Sequence, residues 1–221
     1  MKEQLARAEE AVAALRANRN DRWYPVFHIA APAGWINDPN GVSFFKDRYQ
    51  VYFQHHPYST VWGPMHWGHV SSTDMITWKR EPIAFAPSIE ADRDGVFSGS
   101  AVPSPNGETL YVYYTGHRWA NGVNEDEGND QVPCMATSTD GISFEKHGVI
   151  VKGPDELHHF RDPKVWQIGD TWYMVFGACS AQNRGQVWLY TSTELVEWAF
   201  DSVLFEDPDP DAFMLVCPDC F

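Results

Sequence analysis

Cysteine, positive charge and long apolar runs are all scarce in this sequence, and each scarcity excludes something. Four cysteines in 221 residues (Cys134, Cys179, Cys217, Cys220) are too few and too scattered for a disulfide framework, which fits a reducing compartment. Cys217-Pro218-Asp219-Cys220 has C-x-x-C spacing. No second pair or histidine partner at zinc-finger spacing accompanies it, so neither redox nor metal chemistry is expected there. No run approaches membrane-spanning length, and the charged, alanine-rich N-terminus lacks the apolar core of a secretory signal. A cytoplasmic protein without a membrane partner is expected. Sixteen Lys and Arg against 30 Asp and Glu leave a net charge of −14, and that field repels nucleic acid. Neutral small molecules fit better.

What is present describes a globular chain with room for a sizeable core, since 43% of its residues are hydrophobic and only 21% charged. Aromatic residues reach 14%, with ten Trp, which points to half-buried strands, to an aromatic-lined carbohydrate cleft, or to both. Residues 1–20 form a first unit: Leu5, Ala8, Val12 and Leu15 recur at spacings of three and four with charges between them, predicting an amphipathic helix. From Trp23 onward the apolar period is two, as in Tyr49-Gln50-Val51-Tyr52-Phe53, so residues 21–221 are expected to be all-β.

An internal repeat orders those strands. Ser72-Thr73-Asp74-Met75-Ile76-Thr77-Trp78 recurs as Ser138-Thr139-Asp140-Gly141-Ile142-Ser143-Phe144 and as Ser192-Thr193-Glu194-Leu195-Val196-Glu197-Trp198. Upstream of each lies a hairpin signal, at 45–49, 104–108 and 167–171. A period of roughly 60 residues holding about four strands predicts a β-propeller. The first strand of each blade then lines the channel. The residues opening the repeats, Asn37-Asp38, Phe97-Ser98-Gly99-Ser100 and Arg161-Asp162, converge there with Gln54, Trp35 and Trp62 around the mouth. Paired carboxylates beside aromatic rings suit glycoside cleavage. Equally, Asn-Asp-Pro-Asn-Gly and Arg-Asp-Pro are turn formers that can simply cap strands.

Trp35-Ile36-Asn37-Asp38-Pro39-Asn40-Gly41, Phe97-Ser98-Gly99-Ser100-Ala101-Val102 and Arg161-Asp162-Pro163-Lys164-Val165 resemble three signature motifs of the invertase and fructanase family of glycoside hydrolases, family 32. The resemblance runs from about Tyr24 to the last residue. It implies a five-bladed β-propeller followed by a β-sandwich, no metal and no cofactor, a small saccharide substrate, and hydrolysis of terminal fructosyl bonds with retention. It also implies that Asp38 is the nucleophile, that Asp162 with Arg161 holds fructose hydroxyls and stabilises the transition state, and that Asn37, Gln54, Trp62, Phe97 and Ser98 line the fructose pocket. Sucrose, sucrose 6-phosphate and short fructans all remain open as substrates.

Two features depart from the family pattern. The family's acid/base glutamate stands immediately before Cys-Pro-Asp, and here that position is Val216, which can neither donate nor accept a proton. At roughly 60 residues per blade the chain supplies three blades and the opening of a fourth, so an N-terminal portion of a propeller is expected, with an open strand edge. Val216 keeps a non-catalytic fructoside-binding propeller open as an alternative, and a purely structural propeller is a third reading. His55, His56, His66 and His69 are clustered, but strand alternation sends His66 and His69 to opposite faces, so no metal site is expected.

Overall fold

Three turns of one design space the strands. In each, a serine hydroxyl accepts the backbone N–H groups two and three residues on. Ser72 Oγ takes those of Asp74 and Met75 at 3.1 and 2.9 Å, Ser138 Oγ those of Asp140 and Gly141 at 3.3 and 2.8 Å, and Ser192 Oγ those of Glu194 and Leu195 at 3.2 and 3.1 Å. These local bonds compete successfully with strand continuation, and the partner three residues on turns left-handed, with φ of +59° at Met75, +75° at Gly141 and +71° at Leu195. The repeated Ser-Thr-Asp/Glu is therefore a turn motif that reverses the chain.

The structure, a computed structural model, describes residues 1–153, 157 and 159–220; the far end of the second expected unit, Phe221, lies outside the described residues. Each turn joins the last two strands of an antiparallel meander. The first sheet runs β1 (Trp35–Phe45), β2 (Arg48–His56), β3 (His66–Ser72), β4 (Lys79–Arg80). The second runs β5 (Gly95–Pro103), β6 (Leu110–Trp119), β7 (Asn129–Ser138), β8 (Glu145–Val149). The third runs β9 (Phe160–Ile168), β10 (Thr171–Cys179), β11 (Gly185–Ser192), β12 (Ala199–Glu206). β5 packs against both β1 and β9, so the first strand of each sheet faces the axis and the three sheets stand as consecutive, unclosed blades of a propeller.

Aromatic layers fill the spaces between blades. Tyr52, Trp67, Phe85, Tyr114 and Phe144 fill the space between the first two blades, and Tyr113, Phe160, Trp172, Phe176 and Tyr190 that between the second and third. Each layer is closed by a hydrogen bond to the left-handed residue of the next blade's turn. Tyr52 Oη donates to Gly141 O at 2.9 Å, and Tyr113 Oη to Leu195 O at 2.6 Å. Tyr113→Phe leaves the buried Leu195 carbonyl without its donor and is expected to cost about 1–3 kcal/mol, read as a lower unfolding midpoint in denaturant.

The N-terminal helix α1 (Lys2–Arg16) ends before Arg19 but presents the expected stripe: Ala8 and Val12 are buried against Ile83. Glu9 fixes it to the first blade, its carboxylate accepting Ile83 N–H at 2.8 Å and pairing with Arg80.

Candidate active site

Each inner strand breaks its ladder at the residue of interest. On β1, Ile36 pairs with His55 and Pro39 with Phe53, so Asn37 and Asp38 together oppose Gln54. On β5, Phe97 pairs with Thr115 and Gly99 with Tyr114, leaving Ser98 as the additional residue. On β9, Arg161 pairs with Gly177 and Lys164 with Val175, so Asp162 and Pro163 oppose Phe176. Proline cannot donate to a ladder and is confined within sheets to edges and bulges, which is why two of the three breaks carry Asp-Pro. A bulge re-aims the side chain it displaces. At Asp162 the backbone is turned to a φ of +63°.

The three bulges meet. Ser98 Oγ donates to Asp38 Oδ2 at 2.8 Å. Thr115 ties the second bulge to the third, its hydroxyl donating to Ser98 O at 3.0 Å while accepting Asp162 N–H at 2.8 Å. Cys217 bridges the two carboxylates: its N–H donates to Asp162 Oδ2 at 3.0 Å, and its Sγ lies 3.6 Å from that oxygen and 3.9 Å from Asp38 Oδ2. Arg161 Nε is 3.8 Å from Asp162 Oδ2, and its Nη1 donates to Gln131 Oε1 at 3.2 Å. Below these groups the inner strands and residues 217–220 enclose a cavity of about 590 Å³.

Aromatic rings adjoin the Ser98 and Asp38 bulges. Trp62, 48% exposed, meets Phe97 edge-on with centroids 6.0 Å apart, and Phe97 stacks on His117 at 4.1 Å. Asn37 Oδ1 accepts the Trp35 indole N–H at 2.7 Å. Gln54 is buried and donates to Val96 O at 3.1 Å, stapling the Asp38 bulge to the second blade. Asp38, Ser98, Arg161 and Asp162 are thus gathered together, Phe97 adjoins Ser98 in the chain with Trp62 against its ring, and Asn37 and Gln54 flank the Asp38 bulge.

Thr115, Gln131, His117 and Cys217 escaped the sequence reading, because the first three lie within strands and act through tertiary contact. A serine or threonine opposite a broken ladder is the only signal that could have marked Thr115. Burial pushes His117 down to about 4, so its ring is neutral and Nδ1 accepts from Gln131 Nε2, 3.2 Å away. The four clustered histidines of the first blade are held by protein oxygens: His55 Nδ1 lies 2.8 Å from Trp35 O, His56 Nδ1 2.9 Å from Val61 O, His66 Nδ1 3.0 Å from Pro64 O, and His69 Nε2 2.8 Å from Gln50 Oε1. Among the described residues, no group of three or more His, Cys, Asp or Glu is arranged to hold a metal.

Burial raises the Asp162 carboxyl above its ordinary value, and the Asp38 charge adds to this, against the Cys217 N–H and Arg161. Burial and both carboxylates push the Cys217 thiol up to about 12. A carboxyl raised on folding favours the folded state while protonated and loses that contribution as pH rises through its folded value. Asp162→Asn is therefore expected to melt higher than the parent at pH 7, the gap closing as pH falls from the raised folded value to the ordinary carboxylate range. Asn suits the test because it tolerates the left-handed backbone and keeps an acceptor for Cys217 N–H. A lower melting temperature at pH 7 would count against a burial-dominated Asp162.

Residues 207–220, expected to open a fourth blade, form no named strand and instead run back along the third blade to the site. Gly177 makes this possible, for a Cβ there would lie 1.8 Å from Leu215 O. Val216, between Leu215 and the anchored Cys217, is 56% exposed. No helix of the described residues is long and apolar enough to cross a membrane.

Known proteins resemble this chain. The chain is 53% identical to a sucrose-6-phosphate hydrolase of Escherichia coli over 98% of its length, and 49% identical to a raffinose invertase of the same organism over 100%. It covers 45% and 46% of those relatives, so the chain spans about half their length. A β-fructofuranosidase variant from Bombyx mori, solved in complex with sucrose, is 40% identical and superposes with a TM-score of 0.86 over 98% of this chain and 45% of its own. Residues 28–221 match the N-terminal domain of glycosyl hydrolases family 32, and the chain belongs to that family.

Proposed function

We propose that this chain is the N-terminal part of a retaining β-fructofuranosidase acting on sucrose, sucrose 6-phosphate or short fructans, the remaining blades and a C-terminal β-sandwich lying outside it. The observation that carries this reading is the meeting of three bulged inner strands, which brings Asp38, Ser98 and Asp162 onto one opening. Asp38, oriented by the Ser98 hydroxyl, attacks the anomeric carbon of the fructosyl unit. Asp162 and Arg161 hold fructose hydroxyls, and Asn37, Gln54, Trp62 and Phe97 complete the pocket. Retention follows when a carboxylate forms a covalent glycosyl intermediate that water then resolves.

That chemistry requires a second group to protonate the leaving oxygen, and Val216 stands where it would be. Turnover is therefore impaired in this chain, and the same residue favours a second reading in which the site binds fructosides without cleaving them. Incubating the full-length protein with sucrose and with an aryl β-fructoside, and following the anomer released, tests both. Slow release of the β-anomer supports the fructosidase. Binding without any release supports the fructoside binder, and absence of both removes the site assignment. A small saccharide is the expected partner and a cytoplasmic location the expected setting.

A further inference from the structure

Arg161 needs a fixed orientation to serve the site, and Asp162 does not supply it. Arg161 Nε stands 3.8 Å from Asp162 Oδ2, beyond hydrogen-bond range. Among the described residues, Gln131 Oε1 is the acceptor that takes a guanidinium hydrogen, from Nη1 at 3.2 Å. Gln131 lies on β7 directly opposite His117 of β6, and the two side chains, on residues 2% and 1% exposed, meet at 3.2 Å. His117 in turn stacks on Phe97, with centroids 4.1 Å apart and planes 10° from parallel. A buried chain of contacts thus crosses the second blade, from the residue beside Ser98 to the residue beside Asp162.

Each link fixes the next. A guanidinium only donates, so Gln131 turns its carbonyl oxygen to Arg161 and its amide nitrogen to His117. His117 Nδ1 then accepts, which places the ring hydrogen on Nε2. That nitrogen is buried and has no partner among the described residues. A buried donor left unpaired destabilises the folded state, whereas replacing both polar partners by apolar groups of similar shape is close to neutral. Folding alone therefore does not account for this arrangement. The orientation it gives Arg161 does.

We propose that Gln131 and His117 are positioning residues for the fructosyl site, holding the Arg161 guanidinium where it meets fructose hydroxyls. The inference rests on the fructosidase reading, and its test separates the two. Fructose is titrated into the chain and its variants, and their melting temperatures are measured. The guanidinium NMR signals of Arg161, assigned by their loss in Arg161→Lys, are followed without sugar for restricted rotation.

Gln131→Leu combined with His117→Phe removes both polar partners and keeps their bulk. This double variant is expected to melt no lower than the parent, to bind fructose about tenfold more weakly, and to merge Arg161 Nη signals that are separate in the parent. Gln131→Glu still offers the guanidinium an acceptor, and His117 answers by moving its hydrogen to Nδ1, so most of the binding should be retained. Unchanged Arg161 signals in the double variant, or Gln131→Glu binding as weakly as the double variant, overturn the positioning role. So does a double variant that melts well below the parent, since the chain of contacts then serves folding. Failure of the parent to bind fructose counts against the fructosidase reading alone, because the Arg161 signals still decide what holds the guanidinium.

Discussion

Val216→Glu in the full-length protein is expected to raise sucrose hydrolysis by about two to four powers of ten, the usual contribution of a positioned proton donor. In a retaining mechanism the second carboxyl lies about 5 Å from the nucleophile, protonates the departing oxygen and later deprotonates water. The main chain is already fixed for this, because the adjoining Cys217 N–H is bonded to Asp162 at 3.0 Å. Nearby acids are poor substitutes: Asp219 is paired with Lys164 at 2.9 Å, and Asp211 is exposed on the tail before it. The gain should be smaller for aryl fructosides, whose leaving groups need less protonation. Affinity for fructose should barely change, since only the transition state gains a contact. Equal sucrose turnover by the Val and Glu forms would mean that another acid does the work, or that the protein is a binder.

Asp38→Asn, made in the Val216→Glu background, is expected to lose about three powers of ten or more, because an amide cannot form the covalent fructosyl intermediate. The fold should survive, since asparagine retains an oxygen to accept the Ser98 hydroxyl, now 2.8 Å from Asp38 Oδ2. An unaltered melting temperature with turnover abolished on both sucrose and aryl fructoside is the expected pair of results. Undiminished turnover would remove Asp38 from the mechanism.

The repeat and the three opening motifs were legible because both depend on short-range chemistry: a serine turn is local, and so is an Asp-Pro break. The two proline bulges could have been read from Asp38-Pro39 and Asp162-Pro163, since a proline inside an inner strand is tolerated only where the ladder fails. The Ser98 bulge had no such mark beyond Gly99. The bond from Gln54 to Val96 O was illegible, because alternation assigns a face and cannot name the carbonyl waiting there. Thr115 and Gln131 were illegible for the same reason, as their partners are supplied by other blades. The path of residues 207–220 depends on Gly177 and Gly185 in the third sheet, a long-range accommodation that no local pattern encodes.

The tyrosine contacts between blades also set an order of assembly. Tyr52 must wait for Gly141, 89 residues later, and Tyr113 for Leu195, 82 residues later. A chain emerging from the ribosome therefore completes each blade only when the outermost turn of the following one has been made. Until then a phenol and the aromatic layer behind it stay open to solvent, which exposes nascent sheets to mispairing. Valine occupies the corresponding strand position in the third blade, at Val175, fully buried. The timer thus runs twice in this chain, and the third blade carries no hydroxyl of its own at that position.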